Sequence, residues 1–112
     1  ALKRNIPFSL HNDPPVTKVN PLSSVWSAVT RKTYSGDILG EEQRIPVYDA
    51  LKAVTIDAAW QYGLDDMLGS LAPGKKADFI LLDTNPLSCD ADRLPEIQIE
   101  KVWIDGKQAW NR

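Results

Sequence analysis

One histidine and one cysteine are all the imidazole and thiolate metal ligands in this 112-residue chain. A metal site needs three or four protein ligands converging from rigid elements, and carboxylates scattered over loops and helices do not replace the missing ones. A single histidine also leaves no Ser-His-Asp or Cys-His arrangement to assemble. The lone Cys89 cannot form an internal disulfide, which agrees with a reducing compartment. An excess of charge of one sign is missing as well. The net charge is −2 with acids and bases interspersed, so there is no basic stripe for nucleic acid and no lysine-rich amphipathic helix for a membrane surface. Apolar runs stop at strand length, the longest near Phe79 to Leu82, whereas a membrane span takes about 20 residues. The start shows no charged n-region followed by an apolar h-region, and no repeat or low-complexity tract occurs.

What the chain does hold is 43% hydrophobic residues and four tryptophans. That is one domain at most, able to bury a real core but far short of the roughly 250 residues of a complete (β/α)8 barrel. Ala1 in place of a methionine suggests an internal boundary or a start engineered for expression.

Local signals divide the chain into short elements. Ile6 to Leu10 reads as an irregular strand or arm, and His11-Asn12-Asp13-Pro14-Pro15 as a loop, since two prolines remove two donors. Asn20-Pro21 is a helix start, with Leu22, Val25, Trp26 and Val29 on one stripe, predicting a helix from about Pro21 to Lys32. A second helix is expected from Pro46, with Val47, Ala50, Leu51, Val54 and Ala58 at helical spacing and Gly63 just past its end. Its β-branched Val54, Thr55 and Ile56 weaken the intrinsic propensity, so packing must hold it. After the Pro73-Gly74 turn comes a strand, Asp78 to Leu82, then an Asp/Ser/Pro-rich loop. Ile97 to Ile104 are strand formers, Asp105-Gly106 is a type I′ hairpin signal, and Lys107 to Trp110 is the return strand.

Several features invite a function and are read more simply. Lys75-Lys76 lacks the phosphate-loop pattern and leads into a strand, so it is a charged turn. Asp90 and Asp92 lack the glycine and glutamate of a calcium loop and form a solvated acidic turn. Trp26, Trp60, Trp103 and Trp110 occur singly, so packing is the default over a stacking platform.

Four segments in order carry a resemblance: Phe8 to Val16; Ala50-Leu51-Lys52-Ala53-Val54-Thr55-Ile56-Asp57-Ala58-Ala59; Gly69 to Asp83; and Val102-Trp103-Ile104-Asp105-Gly106-Lys107. Together they resemble the C-terminal part of a metal-dependent amidohydrolase of the amidohydrolase-3 branch. The resemblance implies an α/β fold: the last strand and helices of an incomplete (β/α)8 barrel over residues 1–66, then strands of the small composite β domain over 67–112. It implies a parent enzyme that hydrolyses non-peptide carbon–nitrogen bonds with one or two divalent ions, zinc above all. No ion is expected on this stretch alone, which should be inactive. The active-site histidines of the family would precede Ala1. The partners implied are the rest of the barrel and a small-molecule substrate, and the location cytoplasmic.

By the same resemblance, Asp13 matches the aspartate at the end of the eighth barrel strand, which binds metal or acts as general base. That place agrees with the rule that barrel chemistry sits at the C-terminal ends of strands. Its other reading is a loop acid capping a turn before Pro14. His11, two residues earlier, would share a face with Asp13 if both lay in a strand. It is read as a substrate contact or a support to the metal ligands, with direct ligation or a plain surface histidine as alternatives.

Two other functions stay open: a non-catalytic regulatory or protein-interaction module built on the same fold, and a free-standing binding domain. Helices made to cover a barrel would here lose their packing surface, so an exposed apolar patch and self-association, or else a rearranged core, are expected.

Overall fold

The computed structural model describes all of residues 1–112. Helix α1 spans Pro21–Thr30. It begins where the sequence signals it: the Asn20 side chain accepts a hydrogen bond from Leu22 N at 3.1 Å, and Pro21 occupies the first turn. It ends at Arg31, whose φ of 59° turns the chain away. Along its stripe, Val25 is fully buried, and Leu22, Trp26 and Val29 pack around it.

The expected second helix is two helices, α2 over Val47–Ala53 and α3 over Ile56–Gln61. The break falls on the β-branched run. Thr55 has φ −128° and ψ −99°, and its hydroxyl donates to Leu51 O at 2.8 Å. Crowded χ1 rotamers and a side chain that bonds back to the preceding turn both favour interruption. Helix α3 then closes on Gly63 as expected. Gly63 N donates to Trp60 O and Leu64 N to Ala59 O, both at 2.9 Å, with Gly63 at φ 68°. This is the Schellman arrangement, which glycine adopts without strain.

The helix break makes room for a second glycine. A Cβ on Gly69 (φ +87°) would lie 2.8 Å from Ile56 Cα and 2.9 Å from Ala59 Cβ. Gly69→Ala therefore meets both steric overlap and a disfavoured backbone, and should destabilise the fold by roughly 1–3 kcal/mol. Urea unfolding of the two proteins measures this; an unchanged midpoint would mean that the close approach does not exist.

The sheet is antiparallel in the order β1 (Phe79–Leu82), β2 (Ile99–Ile104), β3 (Lys107–Asn111). Asp105 and Gly106 take φ 52° and 74°, the two positive values that a type I′ hairpin needs. Asp105 N donates to Asp78 Oδ1 at 2.7 Å and Gly106 N to Ala77 O at 3.0 Å, which ties the hairpin tip to the chain entering β1. Phe79 lies opposite Trp103, and their rings stack with centroids 4.6 Å apart.

The segment Phe8–Leu10 forms no ladder; Leu10 N donates to Ala53 O at 3.2 Å instead. A barrel strand is hydrogen-bonded by neighbours on both sides, and no other segment here supplies them. The core lies between α1, α2 and the 3-10 turn Ala91–Glu96, where Val25, Ala50, Leu94 and Ile97 meet. Only six residues are buried, fewer than the composition would allow. The reason lies in the sheet: Phe79, Ile80, Leu81, Ile99, Ile104 and Trp110 all remain exposed, and pairing register with strand alternation puts them on both faces. Trp60 and Trp110, for which packing was expected, are 53% and 47% exposed. No helix is long and apolar enough to cross a membrane.

Candidate functional site

Residues 10–20 fold back on the start of α1. Asn12 is the centre of this loop. Its Nδ2 donates to Asn20 O at 3.1 Å and to Ser24 Oγ at 2.8 Å, and its Oδ1 accepts from Asn20 N at 3.2 Å. Its backbone oxygen accepts from the Thr17 hydroxyl. The carboxamide thus binds both backbone groups of the residue that caps α1. Above this base Asp13 stands in the left-handed region at φ 50°, a conformation that Asp and Asn adopt more readily than most residues. Val16 N donates to Asp13 O at 2.9 Å and closes the turn.

The Asp13 carboxylate is exposed and makes no hydrogen bond or ion pair, so it neither caps the turn nor braces the loop. His11 is also exposed and lines a shallow groove of about 280 Å³ with Asn12, Ser23, Ser27, Arg31 and Tyr34. The two residues flank Asn12 in a loop, so the face that a strand would have given them does not arise. No three His, Cys, Asp or Glu side chains converge closely enough to hold a metal ion.

Sequence reasoning missed Asn12. Its signal was indirect: an asparagine eight residues before a helix-capping asparagine, each able to bond a neighbouring backbone. It also undervalued Asp92. This carboxylate accepts from Lys32 Nζ at 2.6 Å and from Trp26 Nε1 at 3.3 Å, joining the Ala91–Glu96 turn to α1. Asp90 Oδ1 accepts from Asp92 N at 2.9 Å and shapes that turn. The Lys32 hydrogen bond, then that of Trp26, hold Asp92 below the usual carboxylate range. A lowered folded-state value stabilises the fold above the ordinary aspartate pKa of about 3.9 and loses that contribution as pH falls through the folded value. Acid titration followed by tryptophan fluorescence should show a transition below about pH 4 that Asp92→Asn removes. The same transition in the variant would assign it to another group.

The sequence profile described as the amidohydrolase family matches residues 1–109. The chain belongs to the amidohydrolase family. Among its relatives, the N-substituted formamide deformylase of Arthrobacter pascens is 31% identical over 99% of this chain and 20% of its own length. Protein LONG AFTER FAR-RED 3 of Arabidopsis thaliana is 46% identical over 97% of this chain and 19% of its own length. The crystal structure of an amidohydrolase from Thermotoga maritima superposes with a TM-score of 0.72 at 27% identity, covering 99% of this chain and 24% of that one. This amidohydrolase chain therefore spans about a fifth of the length of the curated relatives it matches. Its helices and three-stranded antiparallel sheet form part of an amidohydrolase fold, as a C-terminal portion of such a protein.

Proposed function

We infer that these residues complete the active site of a metal-dependent hydrolase that cleaves non-peptide carbon–nitrogen bonds. The observation that carries this reading is the exposed, unpartnered Asp13 carboxylate on a loop braced by another residue. A carboxylate with no structural bond, held in a backbone conformation that aspartate tolerates, is free to take a ligand or a proton. The relative named as a formamide deformylase supports the same class of bond.

Carboxylate oxygen and imidazole nitrogen suit a divalent ion such as zinc. Asp13 can supply one oxygen and His11 stands near enough in sequence to contact substrate or support a ligand; the remaining ligands must come from other elements. An ion held there would supply Lewis acidity to the scissile carbonyl and to water. Asp13 accepts the proton of the attacking water and returns it to the departing nitrogen, so the amine leaves neutral. His11, on the wall of a groove that Asp13 itself does not line, contacts the substrate or supports a metal ligand.

Residues 1–66 are read as the end of the barrel and 67–112 as part of the small β domain. The exposed apolar residues on both sheet faces then meet the rest of the protein, and the isolated chain self-associates through them. Neither nucleic acid nor a membrane is among the proposed partners.

The test is the full-length protein that carries these residues, assayed for amine release from an N-substituted formamide with and without a chelator. Chelator-sensitive release is expected. A full-length protein that binds no metal and releases no amine would favour the regulatory or interaction module instead.

A further inference from the structure

We propose that the outer edge of β1 is a strand-acceptor site whose occupant is an extended segment of the same full-length chain, apolar at its centre and with a cation near each end. The proposal does not depend on the hydrolase reading. β1 is hydrogen-bonded only to β2, so one side of it is open. The direction of its peptide groups follows from its two ends. Gly106 N donates to Ala77 O and Asp83 N donates to Gln98 O, both at 3.0 Å. Alternation along the strand then turns the peptide groups of Phe79 and Leu81 toward β2 and leaves the N–H and C=O of Ile80 and Leu82 on the outer edge.

The two edges of the sheet are not built alike. β3, the other edge strand, carries Lys107, Gln108 and Asn111. Val102 faces Trp110 and Trp103 faces Gln108, which leaves Ala109 as an extra residue in β3. Polar side chains and a bulge are the usual guards against a further strand. β1 has neither. Its four residues are all apolar, and the irregularity in its own pairing falls on Glu100, in β2. Ile80 and Leu81 point to opposite faces and are both about half exposed. An apolar run that needs cover on both faces belongs in the interior of a larger sheet.

The acids that bracket β1 determine which strand fits. Asp78 Oδ1 accepts from Asp105 N at 2.7 Å, and Asp83 Oδ1 accepts from Gln98 N at 3.1 Å. Neither carboxylate has a lysine or arginine within ion-pair distance. Their charges lie roughly 16 Å apart along the strand and are open to cations on a neighbour. Two copies of the chain can meet through the sheet faces, but not so readily edge to edge. Pairing Ile80 of one with Leu82 of the other would set the Asp78 end against the Asp83 end, like charge against like. The chain spans about a fifth of the length of its curated relatives, so a full-length protein has ample chain to supply the strand.

The experiment follows hydrogen exchange at single amides of the full-length protein, by mass spectrometry with electron-transfer fragmentation, beside sedimentation velocity at the same concentrations. In a monomer, the amides of Ile80 and Leu82 should exchange as slowly as those of Phe79 and Leu81. Exchange of Ile80 and Leu82 at the rate of an unstructured peptide would mean an open edge and would overturn the proposal. Protection found only where the protein sediments as a dimer would assign the edge to a second copy, and would overturn it too. The charges are tested by Asp78→Asn combined with Asp83→Asn, since asparagine Oδ1 still accepts from Asp105 N and Gln98 N. This double variant should speed exchange at Ile80 and Leu82 by about two- to tenfold, the worth of two surface ion pairs, and change Phe79 and Leu81 much less. Equal acceleration at all four amides, or none, would remove the cations from the proposal and so refute it. Should the double variant not fold, the parent in about 1 M salt decides, because screening should speed the same two amides. Amine release is no part of this readout, so failure of the hydrolase reading leaves the strand-acceptor site standing.

Discussion

Asp13→Asn should lower kcat of the full-length protein on an N-substituted formamide by roughly 10²–10⁴-fold, the usual contribution of a positioned acid–base group. Asparagine is the informative replacement. It keeps the shape of the side chain and tolerates the φ of 50° at this position, so the turn closed by Val16 N survives. Alanine would add backbone strain, and glutamate would carry the carboxylate one methylene too far. Because the carboxylate makes no bond within the chain, the substitution should leave the unfolding temperature nearly unchanged. A large loss of turnover at constant stability separates a chemical role from a structural one. Turnover within a few-fold of the parent would remove Asp13 from the mechanism.

Leu94→Ala should produce the largest loss of stability. Leu94 is fully buried and joins Val25, Ala50 and Ile97 at the junction of α1, α2 and the Ala91–Glu96 turn. Truncating a buried leucine costs about 2–5 kcal/mol, depending on how far the surroundings collapse. A domain has only some 5–15 kcal/mol in total, and six buried residues make a small reserve. The 112-residue chain carrying Leu94→Ala should therefore lose its cooperative transition at room temperature, while Leu81→Ala, at an exposed position of β1, costs little in the same chain. Far-ultraviolet circular dichroism against urea distinguishes the two. Equal effects would mean that the core lies elsewhere.

Local chemistry made much of the fold legible. Asn20-Pro21 started α1, Gly63 ended α3, and Asp105-Gly106 formed the hairpin, because each residue type meets a backbone demand that few others can. The amphipathic stripe of α1 identified Val25 as a core residue for the same reason. What stayed hidden depended on partners distant in sequence. The helix break at Thr55 follows from crowding that a periodicity count ignores, and from Gly69 approaching it in space. Phe8–Leu10 has no strand neighbours within these residues, in keeping with the irregular strand or arm that its pattern suggested. At the site, Asp13 was singled out by the family resemblance and His11 by its place two residues before it. Asn12 was not, because its role is a set of hydrogen bonds to residues 8 and 12 positions away. Asp92 looked like one acid of a solvated turn until Lys32 and Trp26, some sixty residues earlier, were found against it.

The most direct measurement is the zinc content and formamide hydrolysis of residues 1–112 purified alone, beside those of the full-length protein. One oxygen donor and a nearby imidazole do not make a closed coordination sphere. The short chain should therefore pass through gel filtration without zinc and release no amine, whereas the full-length protein should retain zinc and release amine. Stoichiometric zinc on the 112 residues, with amine release that Asp13→Asn leaves intact, would contradict the account.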